Sequence, residues 1–230
     1  MERHFHEELK GLKQRLLEMS FKVEEAVSKA CDALFSRDGK LAEEVIREET
    51  AINTLEIEVD QKGHNLFVRG QPMAVDLRLI TMVLKINTDL ERMGDHAVNI
   101  AEKTLFLLQE PELPLTEPLE KMARSVQTMF RDAVNAFMRE DPDLALAVLK
   151  RDDEVDDSNA AFYYLVSDYM EADSKSVNAG INYLMISHNL ERIADLACNI
   201  AEDVIYLKQG KEVRHRIQMG GRQPAAEPEV

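Results

Sequence analysis

LERMGDHAVNIAEKTLFL, spanning Leu90 to Leu107, returns as LERIADLACNIAEDVIYL, spanning Leu190 to Leu207, 100 residues later and without a gap. Leu-Glu-Arg, the aspartate four residues after the glutamate, and Asn-Ile-Ala-Glu are identical in the two copies. A stretch repeated at fixed spacing marks two copies of one structural unit, and any paired site belongs at the same place in each. Ile86, Leu90, Met93, Ala97 and Ile100 recur at three and four, the period of an amphipathic helix.

Working outward, Leu79 and Val83 extend this stripe, so the spacing predicts a helix of about 35 residues from Pro72 or Met73 to Leu108. Upstream, Leu9, Leu12, Leu16, Met19, Val23, Val27, Ala30 and Leu34 predict a first helix over about 5–35. Ser36-Arg37-Asp38-Gly39 breaks it, and Asp38 is a natural N-cap for a second helix carrying Leu41, Val45, Ile52, Leu55, Val59 and Leu66. Gly70-Gln71-Pro72 closes that helix. Residues 110–118, EPELPLTEP, hold three prolines and mark the clearest boundary in the chain.

Past that boundary the pattern restarts. Leu119, Met122, Val126, Met129 and Ala133 match Leu9, Leu12, Leu16, Met19 and Val23 at an offset of 110, while the break at Asp141-Pro142 matches Asp38-Gly39 at 103. A fifth helix is expected over about 142–170. Ser174 or Ser176 is expected to cap a sixth, which runs to about Lys208, with Gly210 at or just past its end. Each helix carries one apolar stripe, and three such stripes bury against one another. The expectation is an all-α fold of six long helices in two tandem three-helix bundles. One repeat covers 1–110, a second 111–213, and 214–230 forms a disordered tail.

The composition supports helices: the 230 residues hold 9 Gly, 7 Pro and no Trp. A net charge of -15 opposes contact with nucleic acid phosphates, which relies on cationic side chains. The two cysteines, Cys31 and Cys198, sit inside apolar patterns and are expected to be buried thiols, as in a reducing cytosol. The N-terminus is polar, unlike a signal peptide, and no apolar run approaches the ~20 residues of a membrane span. There is no glycine-rich phosphate loop, no Ser-His-Asp or Cys-His arrangement and no dinucleotide fingerprint, so an enzyme is not expected.

The chemistry lies in acids. At 100° per residue, Glu91, Asp95, Asn99 and Glu102 fall on one strip of the third helix, almost opposite its apolar set. The plain reading is a solvated face. Three features oppose it. The same residue types recur as Glu191, Asp195, Asn199 and Glu202. Carboxylates at i and i+4 repel. The second and fifth helices supply matching pairs, Glu49 with Asn53 and Asp152 with Asp156, at an offset of 103. Acid pairs from adjacent helices offer a cluster of oxygen ligands for Mg²⁺, Ca²⁺, Mn²⁺ or iron. The Cys and His ligands of a structural zinc site and the Glu-x-x-His motif of di-iron bundles are missing. His188 shares the strip but its counterpart is Thr88, which marks it as a surface residue. Arg92 and Arg192 offer the alternative of neutralising acids on a neighbouring helix.

The two LER-x-x-D-x-x-x-N-I-A-E segments, with the N-terminal Leu-x-x-Leu pattern ending in Met19, Asp76-Leu77-Arg78 and Val213-Arg214-His215, resemble the PhoU family of phosphate-uptake regulators across nearly the whole chain. The resemblance implies two three-helix bundles related by a pseudo-twofold. It implies iron or zinc clusters at Glu91 and Asp95, Glu191 and Asp195, and Asp152 and Asp156, with Glu49 and Asn53 as the first-half pair. Asn53 departs from the acidic pattern, and an amide oxygen is the weaker ligand. Asn99, Glu102, Asn199 and Glu202 are further candidate ligands.

The function so implied is negative regulation of phosphate uptake and of the phosphate-starvation response. The protein would link the ATPase subunit of the phosphate ABC transporter to a phosphate-sensing histidine kinase, in the cytoplasm and at the membrane only through its partners. The family also allows a homodimer. Two other readings stand beside this one: a carboxylate-bundle metal store or metalloenzyme, and a metal-free helical interaction protein.

Overall fold

The computed structural model describes residues 2–70, 73–114 and 116–209. Six long helices follow one another: α1 Glu2–Ser36, α2 Gly39–Gly70, α3 Ala74–Leu107, α4 Thr116–Arg139, α5 Pro142–Ala172 and α6 Val177–Gln209. No strand occurs among the described residues. Pro72 and the tail expected over 214–230 lie outside the described residues, as does Gly210. Met73 is the extended residue that precedes α3.

Helices α1, α2 and α3 pack on one another, as do α4, α5 and α6, and the two bundles meet along α3 against α6 and α1 against α4. Among the described residues α2 and α5 touch only their own bundle, so they form the outer helices. One contiguous apolar core runs through both bundles. Polar contacts cross the join at chosen points. Lys85 on α3 pairs with the buried Asp203 on α6, Glu24 with Arg131 at 2.8 Å, and Lys13 with Glu140 at 3.2 Å.

The helical corners show how the sequence stops and restarts. At the end of α1, Asp38 N–H donates to Ala33 O at 2.9 Å and Arg37 N–H to Leu34 O at 3.3 Å, the paired bonds of a Schellman turn. Asp38 then caps α2, its Oδ1 accepting from Lys40 N–H at 2.9 Å and Leu41 N–H at 3.2 Å. Glu140 and Asp141 repeat this turn after α4, and Asp141 accepts from Asp143 N–H and Leu144 N–H. The left-handed residues are Arg37 (φ 55°) and Glu140 (φ 52°), not Gly39. Gly39 serves a close approach instead: a Cβ there would stand 2.9 Å from Leu108 Cδ1.

Two expectations need correction. The cap before the last helix is Asp173, which accepts from Lys175 N–H at 3.0 Å over a single 3₁₀ turn, Ser174–Ser176. Ser176 is buried and donates back to Tyr169 O at 2.8 Å, tying off α5. The first and fourth helices correspond at an offset of 103 rather than 110. The matched corners fix this, and the buried pairs Leu16 with Leu119, Met19 with Met122, Val23 with Val126, Ala30 with Ala133 and Leu34 with Phe137 follow it. The two offsets differ by seven residues, about two turns, which preserves the stripe and makes the alternatives indistinguishable by period.

Candidate metal centre

Helices α2 and α3 run antiparallel and close together because small residues line their contact. A Cβ on Gly63 would lie 2.5 Å from Leu84 Cδ2, and one on Gly94 would lie 3.2 Å from Ile52 Cδ1. In the second bundle, Gly180 meets Met170 in the same way, 2.6 Å from its Cγ. These approaches bring the flanking acid strips of each helix pair together into a seam.

The strip on α3 is not opposite the core. The buried arc of α3 includes Asn87, Gly94 and Val98 as well as the expected Ile, Leu and Met residues. That widens the arc until it reaches the strip, and Glu91 and Asp95 are half-buried at its border. A stripe drawn only through large apolar residues misses this, because Gly94 and Asn87 face α2 without being hydrophobic.

In the second seam, α5 contributes Asp152 and Asp156 and α6 contributes Glu191 and Asp195. Burial raises the Asp156 carboxyl to about 6, with the charges of Asp152, Glu191 and Asp195 adding to it. Burial likewise raises Asp152, partly offset by the Cys198 thiol, with Asp195, Asp153 and Glu191 raising it further. Asp195 is raised by burial too, against the opposing pull of Arg192. Asp152 Oδ1 is buried and has no hydrogen-bond partner. Two acids are braced from their own helix: Arg192 Nη1 donates to Asp195 Oδ2 at 2.8 Å, and His188 Nδ1 lies 3.0 Å from Glu191 Oε2. The arginine therefore neutralises an acid of its own helix, not of a neighbour.

In the first seam, burial raises Glu91, with Asp95 and Glu56 adding to the shift, Arg92 opposing it and Glu49 adding less. Asn53 is half-buried on the same strip of α2. Glu56 was not among the sequence candidates. Its signal was present, since it follows Glu49 by seven residues, a two-turn spacing.

Asn99 and Asn199 lie about 6 Å along the helix axis from Asp95 and Asp195, and Glu102 and Glu202 about 10 Å. Burial raises the Cys198 thiol, and the Glu202 charge adds to it. Cys31 and Cys198 are free, buried thiols, as expected, and burial pushes Cys31 up to about 12.

The donor set suits a cation. Crowded carboxylates resist ionisation, a positive ion relieves that resistance, and an unpartnered buried carboxylate oxygen lacks the donor or cation that ordinarily accompanies it. Among the described residues no group of three or more His, Cys, Asp or Glu side chains is already gathered closely enough to hold an ion. The seams are thus open carboxylate surfaces, with acids supplied from two helices each.

Comparison with known proteins agrees with the duplication. The PhoU domain pattern matches residues 16–104 and again 119–204, with starts 103 residues apart and ends 100 apart, the offsets of the first and third helices of each bundle. A phosphate-specific transport system accessory protein PhoU homolog from a Burkholderia species is 37% identical over 92% of this chain and 91% of its own length. The crystal structure of PhoU from Pseudomonas aeruginosa superposes with a TM-score of 0.88 at 37% identity, covering 90% of this chain and 100% of that one. The phosphate transport system regulatory protein PhoU from Streptococcus pneumoniae gives a TM-score of 0.84 at 32% identity, over 91% and 99%.

Proposed function

This chain belongs to the PhoU family, and from that premise we propose that it is an accessory regulator of a phosphate transport system that binds metal ions at its two carboxylate seams. The observation that carries the reading is the whole-chain match, in both repeats, to relatives described as phosphate-specific transport accessory proteins. The protein acts in the cytoplasm as an adaptor. It meets the ATPase subunit of the phosphate ABC transporter and a phosphate-sensing histidine kinase, and it represses phosphate uptake and the phosphate-starvation response when phosphate is plentiful. No helix among the described residues is long and apolar enough to cross a membrane, in keeping with a protein that reaches the membrane through its partners.

When bound, the metal supplies positive charge that the seams' own residues do not. Asp152, Asp156, Glu191 and Asp195 hold it in the second seam, and Glu49, Glu91 and Asp95 in the first. Arg192 and His188 keep Asp195 and Glu191 oriented. The role requires no catalytic group, which fits a regulatory accessory family.

The test is genetic. Deleting the gene is expected to switch on phosphate-starvation genes at high phosphate, and the wild-type chain is expected to silence them again. A Glu191→Ala/Asp195→Ala chain expressed at the same level is expected to restore less repression. Unchanged expression on deletion would remove the regulatory reading.

A further inference from the structure

A cavity opens away from both seams, where α1 begins and α2 ends. Further along, bases on α1 tie these helices to acids on α2: Lys29 meets Glu44 at 2.6 Å and Glu48 at 3.0 Å, and Arg15 meets Glu58. The pairs Lys29 with Glu44 and Arg15 with Glu58 set an antiparallel register. It places Gly11 opposite Lys62 and Glu8 opposite Asn65. A glycine thus stands where a bridging side chain would be, and the two helices line a cavity of about 350 Å³. That volume is within the range of small-molecule sites.

Packing within the chain does not account for Gly11. Inside a helix glycine is destabilising relative to alanine. Gly63 and Gly180 offset this by close contact, since a Cβ on them would lie 2.5 Å and 2.6 Å from a neighbouring side chain, but a Cβ on Gly11 meets nothing within 4 Å. The bare backbone leaves room for a ligand to approach.

The walls are polarised. From α1 come Glu7 and Glu8, with His4 Nε2 3.6 Å from Glu8 Oε1; from α2 come Lys62, the Asn65 amide and the buried Leu66. At the bridges further along α1 is basic and α2 acidic, and here the signs are reversed. A molecule spanning the cavity meets carboxylates on one side and an ammonium with an amide on the other, which suits a zwitterion. The second bundle has no equivalent. Its α4 starts at Thr116, which matches Lys13, so the turns carrying Glu7, Glu8 and Gly11 have no counterpart. Leu165, Asp168 and Tyr169 stand in place of Lys62, Asn65 and Leu66.

We propose that this cavity binds a free amino acid with an aliphatic side chain. Glu7 and Glu8 hold its ammonium, Lys62 and Asn65 its carboxylate, and Leu66 meets its side chain. The site is separate from the seams and does not depend on the metal reading.

The experiment is calorimetric titration of the chelator-treated full chain with L-leucine, L-valine and L-isoleucine, beside isovalerate and isoamylamine, which each carry one of the two charges. At least one amino acid is expected to bind with a Kd below about 1 mM, and both single-charge probes about tenfold or more weaker, since each loses a charged contact. Lys62→Met, which keeps the apolar stem, and Glu7→Gln/Glu8→Gln are each expected to weaken binding by about tenfold or more. Gly11→Leu is expected to abolish binding by filling the cavity. Its melting temperature should match or exceed that of the wild-type chain, because the new side chain enters open space and leucine favours a helix.

Absence of binding by all three amino acids in the wild-type chain would overturn the site. So would undiminished binding in Gly11→Leu or in Lys62→Met. Isovalerate or isoamylamine binding as tightly as the amino acids would overturn the assignment of a zwitterion.

Discussion

Asp156 is the residue whose behaviour separates a strained carboxylate seam from an ordinary polar surface. It titrates near 6 in the folded chain, against about 4 for an exposed aspartate. Between those values the folded state binds more protons than the unfolded one, so stability contributed by this group falls as the pH rises through 6. Asp152, Asp195 and Glu91 are raised in the same direction and reinforce the trend. The chelator-treated protein is therefore expected to melt at a higher temperature at pH 5 than at pH 7. Asp156→Asn should raise the melting temperature at pH 7 and flatten the dependence. A profile that is unchanged in Asp156→Asn would mean that crowding in the seam is not its source. The acids of this seam were legible in the sequence because both of its pairs keep the i, i+4 spacing. Glu56 departs from that spacing, standing seven residues from Glu49 rather than four, although two turns put it on the same face.

At the scale of elements, the seam depends on how closely α2 approaches α3. Gly94, between Met93 and Asp95, sets that distance, and its counterpart Ala194 shows how small the residue must be. Gly94→Val is expected to force Ile52 aside and cost about 1–3 kcal/mol. Urea unfolding would measure this, and a wild-type midpoint would show that the contact yields freely. The six helices themselves were readable from apolar period and from the caps Asp38 and Asp141. The pairing of α1 with α4 was not, since a shift of two turns leaves every apolar residue on the same face. What fixes it is the pair of left-handed corners at Arg37 and Glu140, a backbone feature with no glycine to announce it. The cap of the last helix was misplaced for a related reason: serines invite the assignment, but Asp173 comes first and its carboxylate takes the exposed amide.

Across the whole molecule, duplication coexists with features that distinguish the halves. Lys29 pairs with Glu48 at 3.0 Å in the first bundle, and at the matching positions Asp132 pairs with Arg151 at 3.2 Å in the second. The reversed polarity places like charges together if α1 meets α5 or α4 meets α2, which discourages exchange of helices between bundles. The join is also asymmetric. His96 Nδ1 lies 2.8 Å from Asn189 Oδ1, whereas their counterparts are Leu196 and Asp89. Two similar bundles thus present two seams of different detail on one shared core. The most direct measurement is elemental analysis of the purified full chain after loading with iron, zinc or manganese, beside Glu91→Ala/Asp95→Ala, Glu191→Ala/Asp195→Ala and the combined variant. The seams predict bound metal in the wild-type chain, less in each single-seam variant and none in the combined one. A wild-type chain without metal under every loading condition, or variants that bind as much as it does, would contradict the account.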